Sequence, residues 1–147
     1  VSSIVKIIAA VALLAIAGAP ASSRPPLSCP AGPFIAYFAH DSTKLTAKGR
    51  ATLDNAISQF GTCSEPQAVV VGHTDTSEPT DLSRRRAIVV RAYLIAHGIP
   101  DRATVLRWKG SGRLQVPTPR KTAEALNRRV ELDYVYDLSA FDAWLSQ

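Results

Sequence analysis

The spacing of hydrophobic positions changes several times along this chain, and each change predicts an element. Phe34-Ile35-Ala36-Tyr37-Phe38 is a short apolar, aromatic run of strand type, followed by the polar loop His40 to Lys44. Thr46 can cap a helix running to about Phe60, with Leu53, Ile57 and Phe60 on one face and Gly61 at its end. Ala68 to Val71 has no polar break, which predicts a strand buried on both faces. After a loop from Gly72 to Asp81, Ser83 can cap a second helix to about His97, with Ala87, Val90, Tyr93 and Leu94 inward and Gly98 as its stop. Thr104 to Trp108 reads as a third strand and Gly110 to Glu124 as a long loop. From Arg128 to Tyr136 the residues Val130, Leu132, Tyr134 and Tyr136 alternate onto one face. Ser139 to Leu145 is a candidate terminal helix covering the sheet edge. The order β-α-β-α-β-β predicts an α/β sandwich, a small mixed sheet packed against two helices.

At the N-terminus the pattern is of another kind. Lys6 precedes the apolar run Ile7 to Ala17, and Ala19-Pro20-Ala21 follows as a small-residue cleavage site. As a helix that run spans about 16 Å, against roughly 30 Å of bilayer hydrocarbon. Residues 1–21 are therefore expected to be a signal peptide, and the rival reading is an uncleaved anchor from Ile4 to Ala21. Residues 22–33 are a Ser/Pro-rich linker and 34–147 the domain, exported to the periplasm or associated with the outer membrane.

Export changes the reading of Cys29 and Cys63, because an even cysteine count outside the cytoplasm points first to a disulfide. Right-handed crossovers would make the first two strands parallel, and each follows a cysteine by about four residues, which places the pair at one edge. Lipidation of Cys29 and two free thiols stay open, although Pro26-Leu27-Ser28 fits a lipobox poorly.

Composition narrows function only a little. Of 147 residues 46% are hydrophobic and 20% charged, an ordinary globular balance. The net charge of +5 suits nucleic acid, anionic lipid or an acidic polymer equally.

Asp75 and Arg86 carry the clearest chemistry. Asp75 follows a buried strand, and Arg86 is expected in the first turn of the helix to which the loop returns, so both side chains can face one pocket. A carboxylate beside a guanidinium complements the ammonium and carboxylate of an amino acid, and the helix N-terminus would add to the pull on a carboxylate. The bland alternative is an internal Asp–Arg salt bridge.

Gly72-His73-Thr74-Asp75, then Leu82-Ser83 with Arg86-Ala87, then Asn127-Arg128-Arg129-Val130-Glu131-Leu132, resemble the three signature blocks of OmpA-like C-terminal peptidoglycan-binding domains, the OmpA/Pal/MotB type. Phe38 to Arg50 also looks like that family's opening segment, and the resemblance covers about residues 34 to 136. It implies a β-α-β-α-β-β sandwich, no enzymatic activity, no cofactor, and non-covalent binding of the peptidoglycan stem peptide through diaminopimelate. The family's clamp carries over onto Asp75 and Arg86. Thr74 and Leu82 match pocket-lining positions, Asn127 and Arg128 match the Asn-Arg before the last strand, and Asp41 matches an acidic position in the opening loop. Two departures stand out. Ala39 replaces an Asp common after the opening strand, and the loop Thr76 to Asp81 is short and lacks the usual Gly and Asn.

Other classes fit less well. His73 and Asp75, with His40 or His97, lack a third metal ligand at fixed spacing, so no metal is expected. A hydrolase built on His73, Asp75 and Ser77 or Ser83 has no nucleophile framework around it. Arg84-Arg85-Arg86 with Arg91, and Lys109 to Arg113, form basic clusters, yet an exported chain seldom meets nucleic acid and no such partner is expected. The remaining alternative is a basic exported domain that binds an anionic polymer or a partner protein, including other envelope proteins.

Overall fold

The computed structural model describes Cys29 and residues 32–147; the expected signal peptide 1–21 and most of the expected linker 22–33 lie outside the described residues. Four strands and three helices follow in the order β1 (Phe34–Tyr37), α1 (Ala47–Phe60), β2 (Gln67–His73), α2 (Leu82–Ala96), β3 (Thr104–Gly110), β4 (Arg129–Val135) and α3 (Leu138–Leu145), with short 3-10 turns at Asp101–Ala103 and Ala125–Asn127. The strands form one mixed sheet ordered β1-β4-β2-β3. β2 and β3 are parallel, while β4 is antiparallel to both β1 and β2. β1 and β2 therefore run the same way, as expected, but β4 lies between them.

Strand periodicity divides the sheet between two cores. Ala68 and Val70 of β2 join Val130, Leu132 and Tyr134 of β4 against Leu53 and Ala56 of α1 and Ala87, Val90 and Leu94 of α2. Val69 and Val71 point the other way, where Leu145, Leu138 and Phe141 of α3 cover them. This second layer explains why β2 reads as an unbroken apolar run. It also corrects the expectation for the terminal helix, which covers a face of the sheet and not its edge. Tyr136 stands beyond β4 and is exposed, so the alternating face ends at Tyr134, whose hydroxyl donates to the Ala56 carbonyl at 2.6 Å.

Helix ends follow local chemistry, with one exception. Thr46 caps α1 through its hydroxyl, which accepts from Gly49 N at 2.9 Å. Gly98, at φ +107°, takes the left-handed conformation that ends α2. Ser83, however, is not the cap of α2. That helix begins at Leu82, and the Ser83 hydroxyl donates to the Thr80 carbonyl at 2.6 Å. Gly72 allows α2 to lie against β2: a Cβ there would sit 1.9 Å from the Ser83 carbonyl oxygen. Cys29 is bonded to Cys63 with their Cα atoms 5.0 Å apart, closing the entry to β1 onto the turn after α1.

Candidate functional site

At the end of β2 the chain turns back toward α2, and the buried Asp75 organises that turn. Its Oδ1 accepts from Ser77 N at 2.9 Å, Ser77 Oγ at 2.8 Å and Glu78 N at 3.0 Å, the pattern of an Asp-nucleated turn. Its Oδ2 accepts from Glu124 N and from Arg128 Nη1, each at 3.1 Å. Burial alone would raise the carboxyl's pKa. The hydrogen bonds from Ser77, Arg128 and Glu124 outweigh it and hold the value down at about 2.

Arg86 is wholly buried and is the fifth residue of α2, two positions further in than a cap at Ser83 would place it. Its Nε donates to the Ser42 carbonyl at 2.9 Å, Nη1 to the His73 carbonyl at 3.2 Å and Nη2 to the Ala39 carbonyl at 3.1 Å. The other two donors form a fork on Glu78, 2.8 Å to Oε2 and 2.6 Å to Oε1. All five guanidinium N–H groups thus have partners. The guanidinium also lies 5.2 Å from the Phe38 ring centroid.

Asp75 and Arg86 thus do not pair with each other, and each is buried on partners of its own within the chain. Two ion pairs, Asp75–Arg128 and Glu78–Arg86, lie side by side. They are joined through the Asp75–Glu78 backbone, for Asp75 N donates to Glu78 Oε2 at 3.3 Å while Glu78 N donates to Asp75 Oδ1. Sequence reasoning missed Glu78. The available signal was electrostatic: a buried guanidinium needs a counter-charge, and Glu78 lies in the shortened loop that leads back to Arg86.

The remaining expected residues divide by role. Leu82 and Thr74 are buried, and Thr74 N donates to the Gly110 carbonyl. Arg128 Nε donates to the Phe38 carbonyl at 3.2 Å, and its Nη2 has no hydrogen bond among the described residues, leaving one partly open cationic edge. Asn127 is engaged elsewhere, clasping Val116 N and O at 2.9 and 2.8 Å and so holding down the long loop before β4. Asp41 supplies its backbone N–H to Glu78 Oε1 at 2.9 Å, while its carboxylate is exposed beside His40. The first N–H groups of α2 close local turns, Leu82 N onto Pro79 O and Ser83 N onto Thr80 O, and do not reach the Glu78 carboxylate.

His73 does not join Asp75. Its ring is buried near Glu131 of β4, with Nε2 3.8 Å from the carboxylate, beyond hydrogen-bond reach, and neither ring nitrogen has a partner. Burial lowers its pKa. The histidine that does approach the acids is His40, whose ring lies within 4.8 Å of oxygens of Asp75 and Glu78, although it contacts Ser77 Oγ and both carboxylates are already engaged. The arginine run is no continuous basic patch: Arg84 and Arg85 are exposed, Arg85 pairs with Asp81 at 3.2 Å, and Arg86 is inside.

A cavity of about 320 Å³ lies near Arg86, lined in part by Ala39 and Ser42, whose carbonyls Arg86 holds. A larger one of about 590 Å³ lies under α3 on the opposite face, lined by Arg113, Arg129, Glu131, Asp133, Phe141 and Trp144 among others.

Residues 37–129 match the OmpA family. Among curated proteins, the chain is 37% identical over 106 residues to Outer membrane protein A of Bordetella avium, covering 67% of this chain and 53% of that protein. It is 33% identical over 113 residues to an outer membrane protein of Gluconacetobacter diazotrophicus, covering 70% and 30%. The chain therefore spans about half and about a third of these relatives. Among solved structures, it resembles the peptidoglycan-associated lipoprotein of Burkholderia pseudomallei (TM-score 0.61, 23% identity, 68% of this chain and 88% of that one). It also resembles the C-terminal domain of Helicobacter pylori MotB (TM-score 0.60, 19% identity, 78% and 92%). With the family match spanning more than half of its residues, this chain belongs to the OmpA family.

Proposed function

We propose that this domain binds peptidoglycan without catalysis, taking the diaminopimelate head group of the stem peptide at the Asp75–Arg86 clamp and tethering the protein or the envelope to the cell wall. The carrying observation is that Arg86 and two backbone N–H groups already surround a carboxylate, that of Glu78, in a buried receptor. A ligand carboxylate fits the same donors, and the partly open edge of Arg128, held in place by the buried Asp75, offers a polar rim. Family membership supports the ligand class, and the outer-membrane relatives support a periplasmic or outer-membrane-associated location reached by way of residues 1–21.

Charge-assisted hydrogen bonds contribute about 1.5–3 kcal/mol each, and association entropy offsets much of that. Single-site affinity on the order of micromolar to millimolar follows, and a polymer with many copies makes it sufficient. Co-sedimentation with purified sacculi is the test. Wild type is expected in the pellet, and Asp75→Ala and Arg86→Ala, verified as folded by circular dichroism, in the supernatant. Wild type remaining in the supernatant would refute the function, and equal sedimentation of all three would refute the site.

A further inference from the structure

The Glu78 carboxylate is held as a bound ligand would be held. Oε1 accepts from Arg86 Nη2 at 2.6 Å and Asp41 N at 2.9 Å, and Oε2 from Arg86 Nη1 at 2.8 Å and Asp75 N at 3.3 Å. Two donors on each oxygen come close to the acceptor capacity of a carboxylate. With Glu78 seated, Arg86 has no donor left for anything else.

We propose that Glu78 is an internal competitor for the clamp: it fills the carboxylate receptor of Arg86, and an external carboxylate enters only as Glu78 leaves. The identity of that external carboxylate rests on the wall-binding reading; the competition itself does not. Three features favour exchange over a permanent bridge. Glu78 has a buried side chain, but its neighbours Ser77, Pro79, Thr80 and Asp81 are exposed, so the segment carrying it lies at the surface. Its backbone N–H closes the Asp75 turn, so the carboxylate can depart, giving up the long bond from Asp75 N to the incoming carboxylate, while that turn stays formed. Replacing one carboxylate with another also leaves the buried guanidinium neutralised, whereas vacating the site would strand its charge.

The competitor acts as a selectivity device. A ligand must bring an ionised carboxylate able to replace Glu78, and a carboxamide, which is neutral and turns an NH₂ toward two of the four donors, cannot. It also lowers apparent affinity by the fraction of molecules in which the receptor is open.

Chemical rescue tests the idea without peptidoglycan. The full chain carrying Glu78→Ala is melted in rising sodium acetate and in sodium chloride of equal ionic strength. Its melting temperature is expected below wild type and to rise saturably with acetate beyond the chloride control, while wild type shows no acetate-specific rise. Glu78→Asp, which keeps the charge on a shorter arm, is expected to respond less than the alanine variant, and it serves as the test if the alanine variant does not fold. An equal response to acetate and chloride in the folded variants overturns the proposal. With sacculi, Glu78→Ala is expected to reach half-saturation at about a tenth of the wild-type concentration. Binding equal to or weaker than wild type by a folded variant also overturns it. Acetate rescue together with no sedimentation of any variant would instead remove the wall-binding reading and leave the internal competitor standing.

Discussion

Arg128 Nη1 meets Asp75 Oδ2 at 3.1 Å and so binds the loop after β2 to the residue that precedes β4. The contact is a direct product of sheet order. Gly72 pairs with Val130, so the end of β2 and the start of β4 are neighbours although more than fifty residues separate them. Arg128 also donates to the Phe38 carbonyl beyond β1, which brings three segments together at one side chain. Arg128→Ala is expected to lower stability by about 2 kcal/mol, the loss of hydrogen bonds from a charged group, and to weaken sacculus binding. Urea unfolding and co-sedimentation check the two effects separately.

Asp75 makes stability depend on acid. Its folded pKa of about 2 lies below the ordinary 3.8, so its contribution is fully present above about pH 4 and lost as pH falls through 2. The difference corresponds to on the order of 2 kcal/mol. Asp75→Asn is expected to be less stable than wild type by that amount at pH 6, with the gap closing toward pH 2. Urea midpoints across that range decide it, and a gap that does not change with pH would show that shape, not charge, is what the substitution removes.

Asp133, on the α3 side of β4, behaves in the opposite sense. Burial, and then the nearby Glu131, raise its pKa to about 6. A raised folded value favours the fold below the ordinary carboxylate pKa and is a liability once pH passes 6. Asp133→Asn is therefore expected to stabilise the domain at pH 7–8 by about 1 kcal/mol, a figure reduced for partial exposure, with no gain below pH 4. Thermal melts at the two pH values compare them.

Gly72→Ala tests the close approach of α2 to β2. The added methyl would collide with the Ser83 backbone, which cannot swing aside as a flexible side chain could. A loss on the order of 3 kcal/mol is expected, together with weaker wall binding because the start of the helix carrying Arg86 must shift. A melting temperature within a degree or two of wild type would contradict the packing described.

Local periodicity made most of the elements legible. The Thr46 cap, the doubly buried run from Ala68 to Val71 and the alternation of Val130, Leu132 and Tyr134 all rest on neighbours within a few residues. The insertion of β4 between β1 and β2 was not legible, because pairing across such separations leaves no local trace. That Asp75 and Arg86 lie at the two ends of one strand-loop-helix turn is readable from the element order, yet their immediate partners are not. Glu78 carries no signal of its own among the polar residues of its loop, because only the burial of Arg86, a product of the tertiary fold, makes a counter-charge necessary. Asn127 matched a pocket motif, but its amide faces Val116, a choice fixed by the fold of a loop that has no periodicity.

The Cys29–Cys63 bond has a mechanical corollary. A pull arriving along the chain from before Cys29 crosses the covalent bridge to Cys63 and continues directly into β2 and the turn at Asp75. The four-residue edge strand β1 and the whole of α1 are bypassed, so tension between the leading segment and the Asp75 turn would not unzip that short margin of the sheet. Reduction would reroute that tension through β1, making it the first strand to peel.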